Sequence, residues 1–361
     1  MEENQFEQIY VIIPVYNCKN YLITSVNSVL EQNYPGISII IVDDGSTDGS
    51  SQLCDELASK YDNIITIHQK NGGVSSARNT AIDYLVNSGI NNGYISFLDA
   101  DDFWSPHFFD EDIVKIINQK YTLISFTSTM CDEKCKKRTS VIPIEEGLHE
   151  GGAKAVWIVS YQQHCGAMLY SIKLINDYNL RFMPTKYCED VSFRMQCLYL
   201  TDTIYLHNSL LYYYRMNHKS AVHNRNFGIS HFPQIIDTWI KTDEKMSVYA
   251  NDKRGKLDEG KKIAKVLIMD MIDEHYQFFG NEKEIDIIMK SHPEYQKLLE
   301  SNWGEKKQHD RYQYMLNHPI AYKVKQYCKG IFIQIKVIIM RGVIVREIVY
   351  RYRFKVPMNI D

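Results

Sequence analysis

Several features are scarce in this 361-residue chain, and each scarcity removes a class of protein. Long apolar runs are missing: no stretch reaches the roughly 18 uncharged apolar residues that a membrane-spanning helix requires. The opening Met1-Glu2-Glu3-Asn4-Gln5 is acidic and lacks the apolar segment of a secretory signal. An excess of one charge is missing too: 41 Lys and Arg face 44 Asp and Glu, which argues against a general nucleic-acid binder. Cysteine is unremarkable at eight residues, and Cys131 and Cys135 stand without a second Cys/His pair at zinc spacing. The expectation is reduced thiols in a cytoplasmic protein. Glycine-rich phosphate signatures are lacking as well. The first apolar run ends Pro14-Val15-Tyr16-Asn17 without Gly-x-Gly-x-x-Gly, which argues against a nicotinamide or flavin dinucleotide, and no Gly-x4-Gly-Lys-Ser/Thr loop occurs.

What is present is an ordinary globular composition, 45% hydrophobic and 24% charged, so wholesale disorder is excluded. The near-neutral total hides an asymmetry. From Pro319 onward the chain has nine Lys/Arg and two acids, and the remainder is correspondingly acidic. The patterning predicts alternating strands and helices at the start. Strands are expected at Ile9–Ile13 (stopped by Pro14), Ile37–Val42, Ile64–Ile67 and Tyr94–Leu98. Helices are expected at about Lys19–Gln32, Asp48–Tyr61 and Ser75–Val86. Such alternation implies an α/β fold with a mostly parallel sheet and right-handed crossovers. A mixed stretch follows, with strands near Tyr121–Thr127 and Ile204–Leu206 and a helix near Val191–Leu200. Three regions result: 1–222 with the α/β pattern, a mostly helical 223–318, and a basic apolar tail, 319–361.

Polar clusters begin where three of the apolar strands stop: Pro14-Val15-Tyr16-Asn17, Asp43-Asp44-Gly45-Ser46 and Asp99-Ala100-Asp101-Asp102. Parallel strands end on one edge, and open α/β sheets bind ligands in the crevice outside it. A single acid there can be a helix cap, and Asp48 can be no more than that. Asn71-Gly72-Gly73 reads equally as a turn or as an anion cradle. Adjacent carboxylates repel and lose solvation when buried. A divalent cation, Mn2+ or Mg2+, held by Asp101 and completed by phosphate oxygens, removes that repulsion. Asp44 is placed to accept from a base N–H.

Four segments in order, Val11–Asn17, Val42–Asp48, Asn71–Asn79 and Phe97–Asp102, resemble the family 2 glycosyltransferases of the GT-A fold, the sugar transferases of polysaccharide synthesis. The resemblance is strong over about Gln8–Phe109 and looser to about Ser220. It implies a nucleotide-sugar transferase fold with a helical C-terminal extension. It also implies inverting transfer of a sugar from a nucleotide donor, usually a UDP-sugar, to a hydroxyl of a saccharide or lipid-linked saccharide. On the matching positions, Pro14 and Tyr16 begin the base pocket and Asp44 contacts the base. Arg78 lies near the nucleotide, and Asp99 and Asp101 hold ribose and metal, with Asp102 nearby. Asp190, in Cys188-Glu189-Asp190, takes the position of the catalytic base. Tyr212-Tyr213-Tyr214-Arg215 with His218, Lys219 and Ser220 resembles a mobile segment closing over the diphosphate; an aromatic edge strand with a solvated basic turn is the plainer reading. The Gln-x-x-Arg-Trp signature of processive members is absent, which favours single-sugar addition.

Trp104, Trp157, His164 and Tyr187 are aromatic residues of the kind that stack on an acceptor sugar, though each alone reads more readily as a core or surface aromatic. The tail reads as an imperfect amphipathic helix or, from its β-branched content, equally as strands; an anionic membrane surface, as at the inner face of the cell membrane, and packing on the protein or on a second copy are the alternatives for it. Two other classes stay open: an Asp-x-Asp phosphatase, and a sugar-nucleotide binding protein without catalysis.

Overall fold

The computed structural model describes residues 6–132, 146–151, 165–185, 188–216 and 232–249, and the account that follows concerns these residues. They lie in the first of two units into which the chain divides, Met1–Ile263. Trp157, His164, Tyr187, Cys135, His218, Lys219, Ser220 and the basic tail lie outside the described residues.

The first half alternates as the pattern implies: β1 (Ile9–Val15), α1 (Lys19–Leu30), β2 (Ile37–Asp43), α2 (Ser50–Lys60), β3 (Ile64–His68), α3 (Val74–Asn87) and β4 (Tyr94–Phe97). There follow β5 (Phe103–Trp104), α4 (Glu111–Asn118), β6 (Leu123–Cys131), β7 (Gly147–Glu150) and β8 (Met168–Ser171). The last described elements are α5 (Ile172–Asp177), α6 (Glu189–Leu200), β9 (Thr203–Arg215) and α7 (Phe232–Ser247). Among the described residues the strands form one sheet in the order β3-β2-β1-β4-β8-β6-β9-β5, with β7 paired to β9. Strands β3, β2, β1 and β4 run parallel, β8 runs antiparallel to both of its neighbours, and β6 and β9 are again parallel.

Side chains alternate across a strand. Ile9, Val11 and Ile13 of β1 and Ile37, Ile39 and Ile41 of β2 share a core with Leu22, Val26 and Val29 of α1 and Cys54 and Leu57 of α2. The intervening residues face the other way, and α3 packs on β1 and β2 with Ala77, Ala81, Ile82 and Leu85 buried. A strand covered on both faces has no polar face, which accounts for the near-continuous apolar run of β2.

Two expectations are corrected here. Pro14 does not stop the first strand; β1 continues to Val15 and stays in register with Val42 and Asp43 of β2. The reason is the direction of its missing donor. Ile12 O accepts from Leu98 N on the β4 side, whereas Val15 O accepts from Asp44 N on the β2 side. Pro14, two residues after Ile12, faces the β4 side beyond the last paired residue of β4, so no ladder bond is lost. The second correction concerns Tyr212–Arg215. This segment is not an edge strand but the end of the 13-residue β9, and the rest of the expected closing segment, His218–Ser220, lies outside the described residues. It sits between β5 and β6, with Phe103 and Tyr213 stacked at 4.9 Å.

The turn at Cys165–Ala167 has a packing constraint of its own. A Cβ on Gly166 would collide with the Tyr212 ring and with the backbone carbonyl of Phe97. A Gly166→Ala substitution is therefore expected to destabilise the fold by about 1–3 kcal/mol, as overpacking of a filled core does. Denaturant titration against the parent chain checks this, and an unchanged midpoint would contradict the packing described.

Candidate active site

The C-terminal ends of β1, β2 and β4 carry the three polar clusters, and parallel pairing brings them to one edge. The loops after β1 and β2 are stitched together. Asn17, at φ 53°, donates its N–H to Ser46 Oγ at 3.1 Å and accepts from Thr47 N at 2.8 Å. Asp48 serves two helix starts at once, accepting from Lys19 N at 3.1 Å and from Ser50 N at 2.9 Å. It is therefore a cap, as its sequence position allowed. Tyr16 stands 50% exposed beside these loops, and Pro14 is buried behind it.

Asp43 and Asp44 do different work. Asp43 accepts from Ser46 N at 3.0 Å and pairs with His68 Nδ1 at 3.0 Å, while His68 Nε2 meets Asp55 at 2.8 Å. Burial works against the Asp43 charge, but the Ser46 and His68 hydrogen bonds outweigh it and hold the carboxyl below its ordinary value. His68 is raised by its bonds to Asp43 and Asp55. The buried Asp44 carboxylate accepts from Gln69 Nε2 at 2.7 Å and from Gly72 N and Gly73 N at 2.8 Å each. Its donors thus include the turn that opens α3, so the Asn71–Gly73 segment is a turn fastened to Asp44. A carboxylate offers about four acceptor sites, and three are filled here.

The acidic turn after β4 separates its carboxylates by environment. Asp102 is fully buried, accepting from Tyr212 Oη at 2.5 Å and from Arg215 N at 2.8 Å. Burial, and then the carboxylates of Asp101 and Asp99, push it well above the ordinary range against the lowering by the Tyr212 and Arg215 hydrogen bonds. Asp99 is bound by Arg78 Nη2 at 2.7 Å. Asp101 stays partly exposed, and Arg215 Nε fixes its backbone carbonyl at 2.8 Å. The Arg215 guanidinium lies over the Tyr21 and Phe103 rings, and among the described residues its buried Nη2 has no hydrogen-bond partner. α1 supports the turn from below: Ser25 Oγ donates to Asp99 O, and Ser28 Oγ accepts from Trp104 N.

Trp104 and Arg78 are both buried. Trp104 is 1% exposed and stacks on Phe108 at 4.0 Å, so it is a core residue rather than a sugar platform. Arg78, expected beside the nucleotide, is 3% exposed and has both Nη atoms on carboxylates, Asp99 at 2.7 Å and Glu189 at 3.2 Å. Glu189, which sequence reasoning passed over for its neighbour Asp190, is thereby part of the site. Burial first, and then Asp190 beside it, push the Glu189 carboxyl up to about 7 against the lowering by Arg78. The only signal in the sequence was the acid pair opening a helix. Asp190 lies in the first turn of α6, where acids are favoured by the helix N-terminus.

A mostly parallel α/β sheet with acids gathered at its strand ends belongs to the class of folds that bind ligands in the crevice outside that edge. Residues 10–178 match the model of glycosyl transferase family 2, and this part of the chain belongs to that family. The chain is 30% identical over 224 residues to the glycosyltransferase GlyA of Streptococcus pneumoniae, covering 58% of this chain and 31% of that protein. It is 26% identical over 225 residues to the glycosyltransferase EpsJ of Bacillus subtilis, covering 59% and 62%. The chain thus spans between about a third and three fifths of the length of these relatives. In fold it is similar to TarS residues 1–349 of S. aureus, solved with UDP, at a TM-score of 0.63 and 15% identity over 98% of this chain and 94% of that one. The fold is accordingly of the GT-A type.

Proposed function

We propose that the chain transfers a sugar from a nucleotide donor, with UDP as the nucleotide, to a saccharide or lipid-linked saccharide hydroxyl, with inversion. One observation carries this reading above the others: Arg78 gathers the carboxylate at the end of β4 and the acid pair opening α6 to one place. Asp190 then takes the proton from the acceptor hydroxyl as its oxygen bonds to the anomeric carbon. On the opposite side the bond from that carbon to the diphosphate breaks, and the nucleoside diphosphate leaves. Tyr16 and Pro14 face the base together with Asp44, which has an acceptor site to spare. Asp99 meets the ribose. Arg215, whose Nη2 has no hydrogen-bond partner among the described residues, answers to the diphosphate, and His218 and Ser220 are assigned beside it from the sequence.

The acidic turn fits a divalent cation of a limited kind. Among the described residues no three His, Cys, Asp or Glu side chains are grouped to hold a metal. By its place in the Asp-x-Asp sequence Asp101 is assigned to hold Mn2+ or Mg2+, beside the buried Asp102 and the Arg78-paired Asp99. Such ions commonly take one or two carboxylates and complete their shell with phosphate oxygens and water. When bound, the cation supplies positive charge to the departing diphosphate.

No helix among the described residues is long and apolar enough to cross a membrane. The cytoplasmic placement, and attachment of residues 319–361 to an anionic membrane surface, rest on sequence alone. The direct test is a panel of UDP-sugars assayed for UDP release with and without saccharide acceptors. UDP-GlcNAc comes first, because TarS has been solved with it. Metal-dependent UDP release stimulated by an acceptor is expected. Release of inorganic phosphate from simple phosphoesters would select a phosphatase instead, and tight UDP binding with no turnover would select a binding protein.

A further inference from the structure

Arg78 is an unusual residue to bury. It projects from α3, is 3% exposed, and spends one Nη on Asp99 and the other on Glu189, 111 positions away in sequence from Arg78. A buried guanidinium is tolerated only when its charge is met, and here carboxylates from two separate elements meet it. The surrounding contacts hold the same junction. Asn79 exchanges two hydrogen bonds with the backbone of Phe182, at 2.8 and 2.9 Å. Arg181 pairs with Asp83 at 2.8 Å. The Phe182 ring lies under the Arg78 guanidinium at 5.0 Å and stacks on Phe193 of α6 at 4.1 Å. α3 therefore grips both the segment leading into α6 and the first turn of α6 itself.

We propose that Arg78 and Glu189 are positioning residues: their ion pair, closed on Asp99, locks the first turn of α6 against the acidic turn after β4 and so sets where Asp190 stands relative to the donor. This rests on the reading of Asp190 as the base. It assigns Arg78 an indirect part in donor binding, through Asp99, instead of a direct contact with the nucleotide. It also gives adjacent acids separate tasks, Glu189 facing inward to hold and Asp190 left to react.

The test compares Glu189→Ala, Glu189→Gln and Asp190→Asn in the full chain with UDP-GlcNAc, or whichever UDP-sugar turns over. Displacing a reacting group by about 1 Å costs up to roughly a hundredfold, so Glu189→Ala should lower kcat by about 10- to 100-fold. The donor KM should stay within about threefold, since the loss is one of positioning and not of binding. Glu189→Gln keeps an oxygen to accept from Arg78 and should return most of the rate. A raised KM with kcat kept would overturn the proposal and leave Asp190 as base. If Glu189→Gln were as slow as Glu189→Ala while Asp190→Asn stayed active, Glu189 would itself be the base, and both readings would fall. Amide hydrogen exchange requires no donor and tests the lock separately. Glu189→Ala should speed exchange at both 99–102 and 188–192, and an unchanged 99–102 would overturn the lock whatever the activity shows. Should Glu189→Ala not fold, Arg78→Lys keeps the charge but loses the fork that reaches two partners, and the same measurements apply.

Discussion

Asp190→Asn is expected to slow sugar transfer by about 10²–10⁴-fold, the usual contribution of a positioned general base. The amide has the shape of the carboxylate but cannot take the acceptor's proton at neutral pH. Arg78 should still hold Glu189 and Asp99, so the acidic turn and the nucleotide end of the site should persist. UDP affinity should consequently stay close to that of the parent chain, with the loss appearing in kcat. Steady-state rates paired with calorimetric UDP binding separate the two quantities. Loss of UDP binding with an unimpaired rate at saturating donor would remove Asp190 from the chemistry.

Asp101→Ala is expected to reduce turnover by at least about a hundredfold, the effect typical of removing one preorganised electrostatic contact in a closed site. The fold should survive, because the turn is fastened elsewhere. Asp102 is held by Tyr212 and the Arg215 N–H, and the Asp101 carbonyl, which the substitution keeps, is held by Arg215 Nε. Thermal denaturation should thus change little while activity falls. The same reading requires that chelation with EDTA abolish activity and that Mn2+ or Mg2+ restore it. Near-normal turnover in EDTA would sink the assignment of Asp101 to a cation.

The two substitutions bear on acids that look alike in sequence, and the contrast shows how far the sequence can be read. Asp99, Asp101 and Asp102 stand within four residues, yet one is paired with Arg78, one is partly exposed, and one is buried beneath a tyrosine. Nothing local distinguishes them. Their environments come from α3, α1 and β9, whose residues are distant in the chain. Glu189 and Asp190 are a second such case, separated by which one meets the guanidinium of α3.

The sequence by itself determined the alternation of strands and helices, because apolar periodicity and turn residues act over a few positions. It determined that the first strands are covered on both faces, since β2 has almost no polar residue. It also placed the polar clusters on one edge, because clusters after parallel strands of one sheet gather on the same side. Only the tertiary structure decided that Pro14 stays inside β1, since that depends on where β4 ends. Only it decided that Trp104 is core, that β9 runs unbroken to Arg215, and that Arg78 ties two acids instead of facing solvent. Burial and charge pairing are sums over all neighbours, and most neighbours at this site come from elsewhere in the chain. Residue type and spacing therefore announce the site, while packing assigns each acid its task.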